Sequence, residues 1–234
     1  MHPTFIILIA SSAEWQALLY LLDQQTTTQY PFGEFFDHTI SGHSARFVRT
    51  GWGKISAAAA TQCVIDHWKP NCIINIGTCG GIAGRTRVGD IILANETLIY
   101  DLLVEMGDPI EEHKFYEVAI DLKWLGDKLP SSVKIAKILT GDRDLRSQEI
   151  AELIDKHEAI VADWESGAVA FVASRNKLPC VILRYVTDLV SAEAGELYEK
   201  QASFFEGRCV QAISDLLSIL PEWLDLIITR PLPA

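Results

Sequence analysis

The sequence predicts an α/β fold, a single domain with a mixed twisted central sheet flanked by helices on both faces. Three observations carry that expectation. Continuous apolar, β-branched runs such as TFIILIA (4–10), NCIINIG (71–77) and CVILRYV (180–186) are the mark of strands covered on both sides. Helical stretches alternate with these runs, as in a largely parallel sheet. Residues 34–50 then add two strand-like runs, EFFDHTI and SARFVRT, around Ser41-Gly42-His43, which is hairpin chemistry and makes the sheet mixed.

The 234 residues, 49% hydrophobic and 22% charged, suit one domain over 1–234 with ample apolar mass for a core. Lys and Arg total 20 against 31 Asp and Glu, a net charge of -11, and no basic stripe follows a helical face. Nucleic acid and anionic membrane are therefore not expected partners. The five Cys contain no CxxC pair and lie mostly in apolar runs. They predict reduced thiols in a cytoplasmic protein, with no disulfide, no metal and no cofactor. No apolar run approaches the roughly 20 residues of a spanning helix, and no repeat recurs along the chain.

Along the chain, 4–10 is a first buried strand, and Ser11 and Ser12 offer caps for a helix over 13–22. Glu14 falls in that helix's first turn, where complementarity to the helix dipole would account for it. It also falls at the carboxyl end of the first strand, where open α/β sheets bind ligands. After the hairpin, Thr50-Gly51-Trp52-Gly53-Lys54 turns into an Ala-rich helix over 55–68, with Trp52 either a core plug or a pocket wall. Lys69-Pro70 stops that helix. The strand at 71–77 empties into Thr78-Cys79-Gly80-Gly81, whose bare amides can approach a ligand. This turn is neither GxGxxG nor GK[ST], so it suits a neutral, hydroxyl-rich ligand such as a sugar better than a nucleotide phosphate.

Arg87-Val88-Gly89-Asp90 turns into a strand at 91–94, and 96–109 reads as an extended arm. Residues 107–132 are loop-rich with a short helical piece at 122–128; a strand at 135–139, the turn Thr140-Gly141-Asp142 and a helix over 146–157 follow. Then come a strand at 160–162, a helix over 165–176 opened by Glu165, and a strand over 180–186 closed by Asp188. Dipole complementarity and solvation would explain either carboxylate alone. A long amphipathic helix over 196–220 precedes an apolar C-terminal tail at 221–234. None of the six His has a nucleophile motif beside it.

Three stretches together resemble the nucleoside phosphorylase/nucleosidase superfamily, most of all its 5′-methylthioadenosine/S-adenosylhomocysteine nucleosidases: TGWGKISAAAA (50–60), KPNCIINIGTCGGIAGRTRVGD (69–90), and 162–188 from ADWESGAVA to ILRYVTD. The resemblance implies cleavage of the bond between adenine N9 and ribose, a purine nucleoside as ligand, and a homodimer. It implies that Glu14 orients and deprotonates water, that Asp188 protonates adenine N7, and that Glu165 holds the ribose 2′ and 3′ hydroxyls. Arg184 and Thr78 would line the water and ribose end, and Trp164 would take the hydrophobic place just before the ribose-binding Glu165. Trp52 and Tyr198 would flank the 5′ group, and Val104 would be lent to the neighbouring subunit.

Where the family sets an aromatic ring against the base, this chain has Asp144, followed by Leu145, which could offer backbone groups to the base edge. Phosphorylases of the family place cations in the first loop and before the glycine turn; here stand SSAEWQ (11–16) and Asn75, which favours water as nucleophile. A phosphorylase, or a nucleosidase for another purine nucleoside such as futalosine, is the nearest alternative. A non-catalytic binding or storage module is an alternative of another class.

Overall fold

The computed structural model describes residues 5–102, 104–106, 109–193 and 202–232. The chain begins with β1 (Phe5–Ile9), α1 (Ser12–Leu21), β2 (Thr28–Tyr30), β3 (Gly33–Ile40), β4 (His43–Arg49), α2 (Gly53–Trp68) and β5 (Ile73–Ile82). It continues through β6 (Ile91–Ile99), α3 (Pro109–Phe115), β7 (Glu117–Ala119), β8 (Lys134–Thr140), α4 (Ile150–His157) and β9 (Val161–Asp163). It closes with α5 (Ser166–Arg175), β10 (Cys180–Val190) and α6 (Ala202–Thr229). Ser41 and Gly42, at φ 46° and 91°, make the tight turn between β3 and β4.

The strands form one mixed sheet. β1 lies between β4 and β5, parallel to both, and its all-buried FIILI run shows why the sequence there does not alternate. Phe5, Ile7 and Ile9 face a core shared with α1 and α6, while Ile6 and Leu8 face one shared with α2 and α5. Beyond β5 the sheet curls on itself. β5 pairs with both β9 and β10, β9 with β8, β8 with β6, and β6 with β10, so five strands close a ring.

Several expectations give way. The Thr78–Gly81 segment is not a turn: β5 runs through it to Ile82, because β10 on one side and β9 on the other pair with it. Asp188 does not close its strand, since β10 continues to Val190 past a register shift between Val186 and Asp188. The arm at 96–109 begins as strand, β6 reaching Ile99 through its pairing with β8. Within 107–132, α3 and β7 form, and the helical piece shrinks to a 3₁₀ turn at Lys123–Leu125.

The tail from Pro221 is mostly helix, because α6 carries Pro221 inside it and runs to Thr229. Leu216, Leu220, Trp223, Leu224 and Ile227 are all buried at helical spacing, and that stripe outweighs the cost of an interior proline. The start predicted for this helix, near 196, lies outside the described residues. Among the described residues no helix is long and apolar enough to cross a membrane.

Candidate active site

Glu14 comes to the carboxyl end of β1 through the first turn of α1, and a capping box fixes it there. The Glu14 amide donates to Ser11 Oγ at 3.1 Å, and the Ser11 amide donates to Glu14 Oε2 at 2.9 Å. On β5, Thr78 donates to Glu14 Oε1 from its backbone N at 2.6 Å and from its hydroxyl at 2.8 Å. The approach demands a bare neighbour: a Cβ on Gly77 would stand 2.9 Å from Oε1. The buried carboxylate thus has the donors that burial requires.

Glu165 caps α5 directly after β9 and is buried. Its Oε1 accepts from the Gly53 amide at 3.0 Å, at the start of α2. Gly53 sits at φ 81°, where a side chain would be strained and would also meet Asp142. Burial, reinforced by the neighbouring carboxylates of Asp163 and Glu14, pushes the Glu165 carboxyl up to about 8, against the pull of Arg184.

Asp163, two residues earlier, organises the layer beneath. It accepts from Thr140 Oγ1 at 2.7 Å, from the Ser166 amide at 3.1 Å, from the Ser166 hydroxyl, and from Arg184 Nε at 2.7 Å. Arg184 is 1% exposed. Its Nη2 donates to Asn75 Oδ1 at 2.6 Å, and Asn75 in turn donates to the Leu8 carbonyl at 3.0 Å. A buried guanidinium requires an anionic partner, and Asp163 supplies it. Arg184 is not among the residues that line the cavity, but its Nη1 stands beside the bare Gly77 position that Glu14 Oε1 also approaches, 3.4 and 2.9 Å from a Cβ placed there.

Asp188 follows the bulge in β10, accepts from Thr187 Oγ1 at 2.8 Å and is buried. Arg208 of α6 donates to the Thr187 carbonyl at 2.6 Å and ties that helix to the segment. A Cβ on Gly80 would lie 3.8 Å from Asp188 Oδ2 and 3.5 Å from Leu145 Cδ1. Leu145 and Asp188 therefore flank one bare stretch of β5.

These groups line one cavity of about 360 Å³: Glu14, Thr78, Glu165, Asp188, Leu145, Trp52 and Trp164 share it. Trp52 is 64% exposed and stacks on Trp164, with ring centroids 5.4 Å apart and planes at 17°. It is a pocket wall, not a core plug. A larger cavity of about 890 Å³ holds Val104 together with Tyr100 and His113, but none of the three site carboxylates. We place the chemistry in the smaller one, because there buried carboxylates converge. Val104 stays outside its own chain's site, and Tyr198 lies outside the described residues.

Sequence reasoning took Ser11 for a helix cap without joining it to the site, and missed Asp163, the Gly53 amide, Arg143 and Phe205. The Ser11-to-Glu14 spacing, a capping-box signature with an acid at the third position, was the signal available for the first of these. Among the described residues no group of three or more His, Cys, Asp or Glu could hold a metal ion.

Residues 4–220 match the sequence profile of the phosphorylase superfamily. A 5′-methylthioadenosine/S-adenosylhomocysteine nucleosidase from Tolumonas auensis is 29% identical over 181 residues, 71% of this chain and 78% of that protein. One from Halalkalibacterium halodurans is 30% identical over 200 residues, 80% of this chain and 84% of that protein. Among solved structures, a putative nucleosidase of the same description from Francisella philomiragia superposes with a TM-score of 0.75 at 20% identity, covering 96% of this chain and 98% of that one. That last likeness shows the fold.

Proposed function

This chain belongs to the phosphorylase superfamily, and from that premise we propose that it hydrolyses the N-glycosidic bond of an adenosine-type nucleoside, 5′-methylthioadenosine or S-adenosylhomocysteine, to free adenine and the 5′-substituted ribose. The observation that carries this reading is the convergence of Glu14, Glu165 and Asp188, all buried, on one cavity of about 360 Å³. The names of the relatives that match most of the chain agree with it.

Adenine leaves far more easily as a neutral base than as an anion. Asp188 gives its proton to N7 as the C1′–N9 electron pair passes to the purine, which departs neutral. The ribose left behind carries oxocarbenium character, and Glu165, accepting from the 2′ and 3′ hydroxyls in its ionised form, favours that positive charge; because burial raises this carboxyl to about 8, that form gains population as pH rises towards 8. Glu14, steadied by Ser11 and Thr78, takes a proton from the water that attacks C1′. General acid or base work of this kind is worth about 10² to 10⁴ in rate for each group. Trp52 and Trp164 offer apolar surface to the sugar and its 5′ substituent.

Water is preferred to phosphate on electrostatic grounds. A phosphate dianion beside Glu14 needs cations, and Arg184 is already committed to Asp163. Arg143, the one cation among the described lining residues, is already paired with Glu149. Incubation with methylthioadenosine should release adenine and methylthioribose at a rate independent of added phosphate. Phosphate-dependent turnover to the 1-phosphate would overturn hydrolysis. In the same reading the protein works in the cytoplasm as a homodimer in which Val104 serves the neighbouring subunit's site. Sedimentation at micromolar concentration tests the dimer, and a monomer with full activity would remove that role.

A further inference from the structure

Where Leu145 and Asp188 meet over Gly80, the residue preceding Leu145 is a carboxylate, which offers a flat base nothing to lie on. We propose that the guanidinium of Arg143 is the surface against which the purine stacks, making Arg143 a substrate-binding residue. This rests on the nucleoside reading above. Arg143 lines both the 360 Å³ cavity and the 890 Å³ cavity, and so forms part of the wall between them. Its Cζ lies 5.0 Å from the centroid of the Tyr100 ring, and its Nη1 donates to Glu149 Oε1 at 2.8 Å. Its Nε is buried without a hydrogen-bond partner among the described residues, so that edge is not spent on bonding.

The support behind it is rigid. Tyr100 is 6% exposed, and a Cβ on Gly141 would stand 2.8 Å from its Cε1, so the ring fits closely against bare backbone. The guanidinium carbon therefore stands over an aromatic ring, and Nη1 is held by a carboxylate. A planar, weakly hydrated cation fixed in this way stacks on a π system as a lysine ammonium cannot. The other flat groups of the cavity are placed differently. Trp52 and Trp164 stack on each other beside Glu165, and Phe205 comes from α6.

Adenine alone isolates the base wall from the ribose contacts. Calorimetric titration should show Arg143→Met and Arg143→Lys binding adenine about tenfold more weakly than the unmutated protein. Arg143→Phe, which restores a flat surface over Tyr100, should stay within about threefold. In the unmutated protein, where folding is not at issue, saturating adenine should slow phenylglyoxal modification of Arg143 at least about threefold, read by peptide mass. Adenine binding with Arg143 modified at an unchanged rate overturns the proposal alone. If neither adenine nor hypoxanthine binds the unmutated protein, the nucleoside reading falls and takes this inference with it.

Discussion

At the scale of single residues, the carboxylates divide by how their burial is met. Glu14 is surrounded by donors, whereas Glu165 accepts from the Gly53 amide and faces two other carboxylates. Its pKa of about 8 in the folded protein stands above the ordinary carboxylate range of an unfolded chain, so the folded state holds the extra proton between those values. Stability from this group is present at low pH and lost as pH rises towards 8. Glu165→Gln, which mimics the protonated form, should match the unmutated protein near pH 4 and melt at a higher temperature than it at pH 8. A melting-temperature difference that does not grow with pH would remove the assignment. Asp188→Asn should lower adenine release by at least about 10² while leaving the melting temperature within a few degrees. Asp188 and Glu165 were legible in the sequence because carboxylates near strand ends of an α/β pattern gather at ligand sites. Asp163 was not, because its partners Thr140, Arg184 and Ser166 come from three elements.

At the scale of elements, the start of α1 and the middle of β5 act as one device. Ser11 holds Glu14 from the helix side, Thr78 holds it from the strand side, and Gly77 leaves the space between. Ser11→Ala removes the cap and should cost about 1 kcal/mol in urea unfolding. Gly77→Ala puts a methyl group against Oε1 and should lower kcat by about tenfold to a hundredfold, with a smaller change in KM. Unchanged kcat in Gly77→Ala would mean that Glu14 does not position the nucleophile. The sequence made the cap readable because Ser11 and Glu14 are local neighbours. It misplaced the end of β5 because four residues of Thr, Cys and Gly look like a turn until strands on both sides pair with them. The end of α6 failed in the opposite sense: a proline that stops an exposed helix is tolerated where Leu220, Trp223 and Leu224 are fully buried.

At the scale of the molecule, the alternation of strands and helices and the hairpin were readable because each depends on local period and turn chemistry. The closed ring from β5 through β9, β8 and β6 to β10 was not, because which edges meet depends on contacts far apart in sequence. Arg184 and Asp163 tie that ring together. The guanidinium on β10 bonds the carboxylate on β9 and the Asn75 amide on β5, while Asn75 reaches β1. Breaking one side of a buried ion pair leaves the other charge without compensation, so Arg184→Met should destabilise the protein by about 3–5 kcal/mol. Changing both partners at once, Arg184→Met with Asp163→Leu, removes the orphaned charge and should recover part of that loss, though Thr140 and Ser166 then lose their acceptor. The two variants separate a clamp from a catalytic group. If the pair acts through the ring, activity should follow the folded fraction and KM for methylthioadenosine should change little. If Arg184 touched the substrate instead, the double variant would regain stability and still show a raised KM.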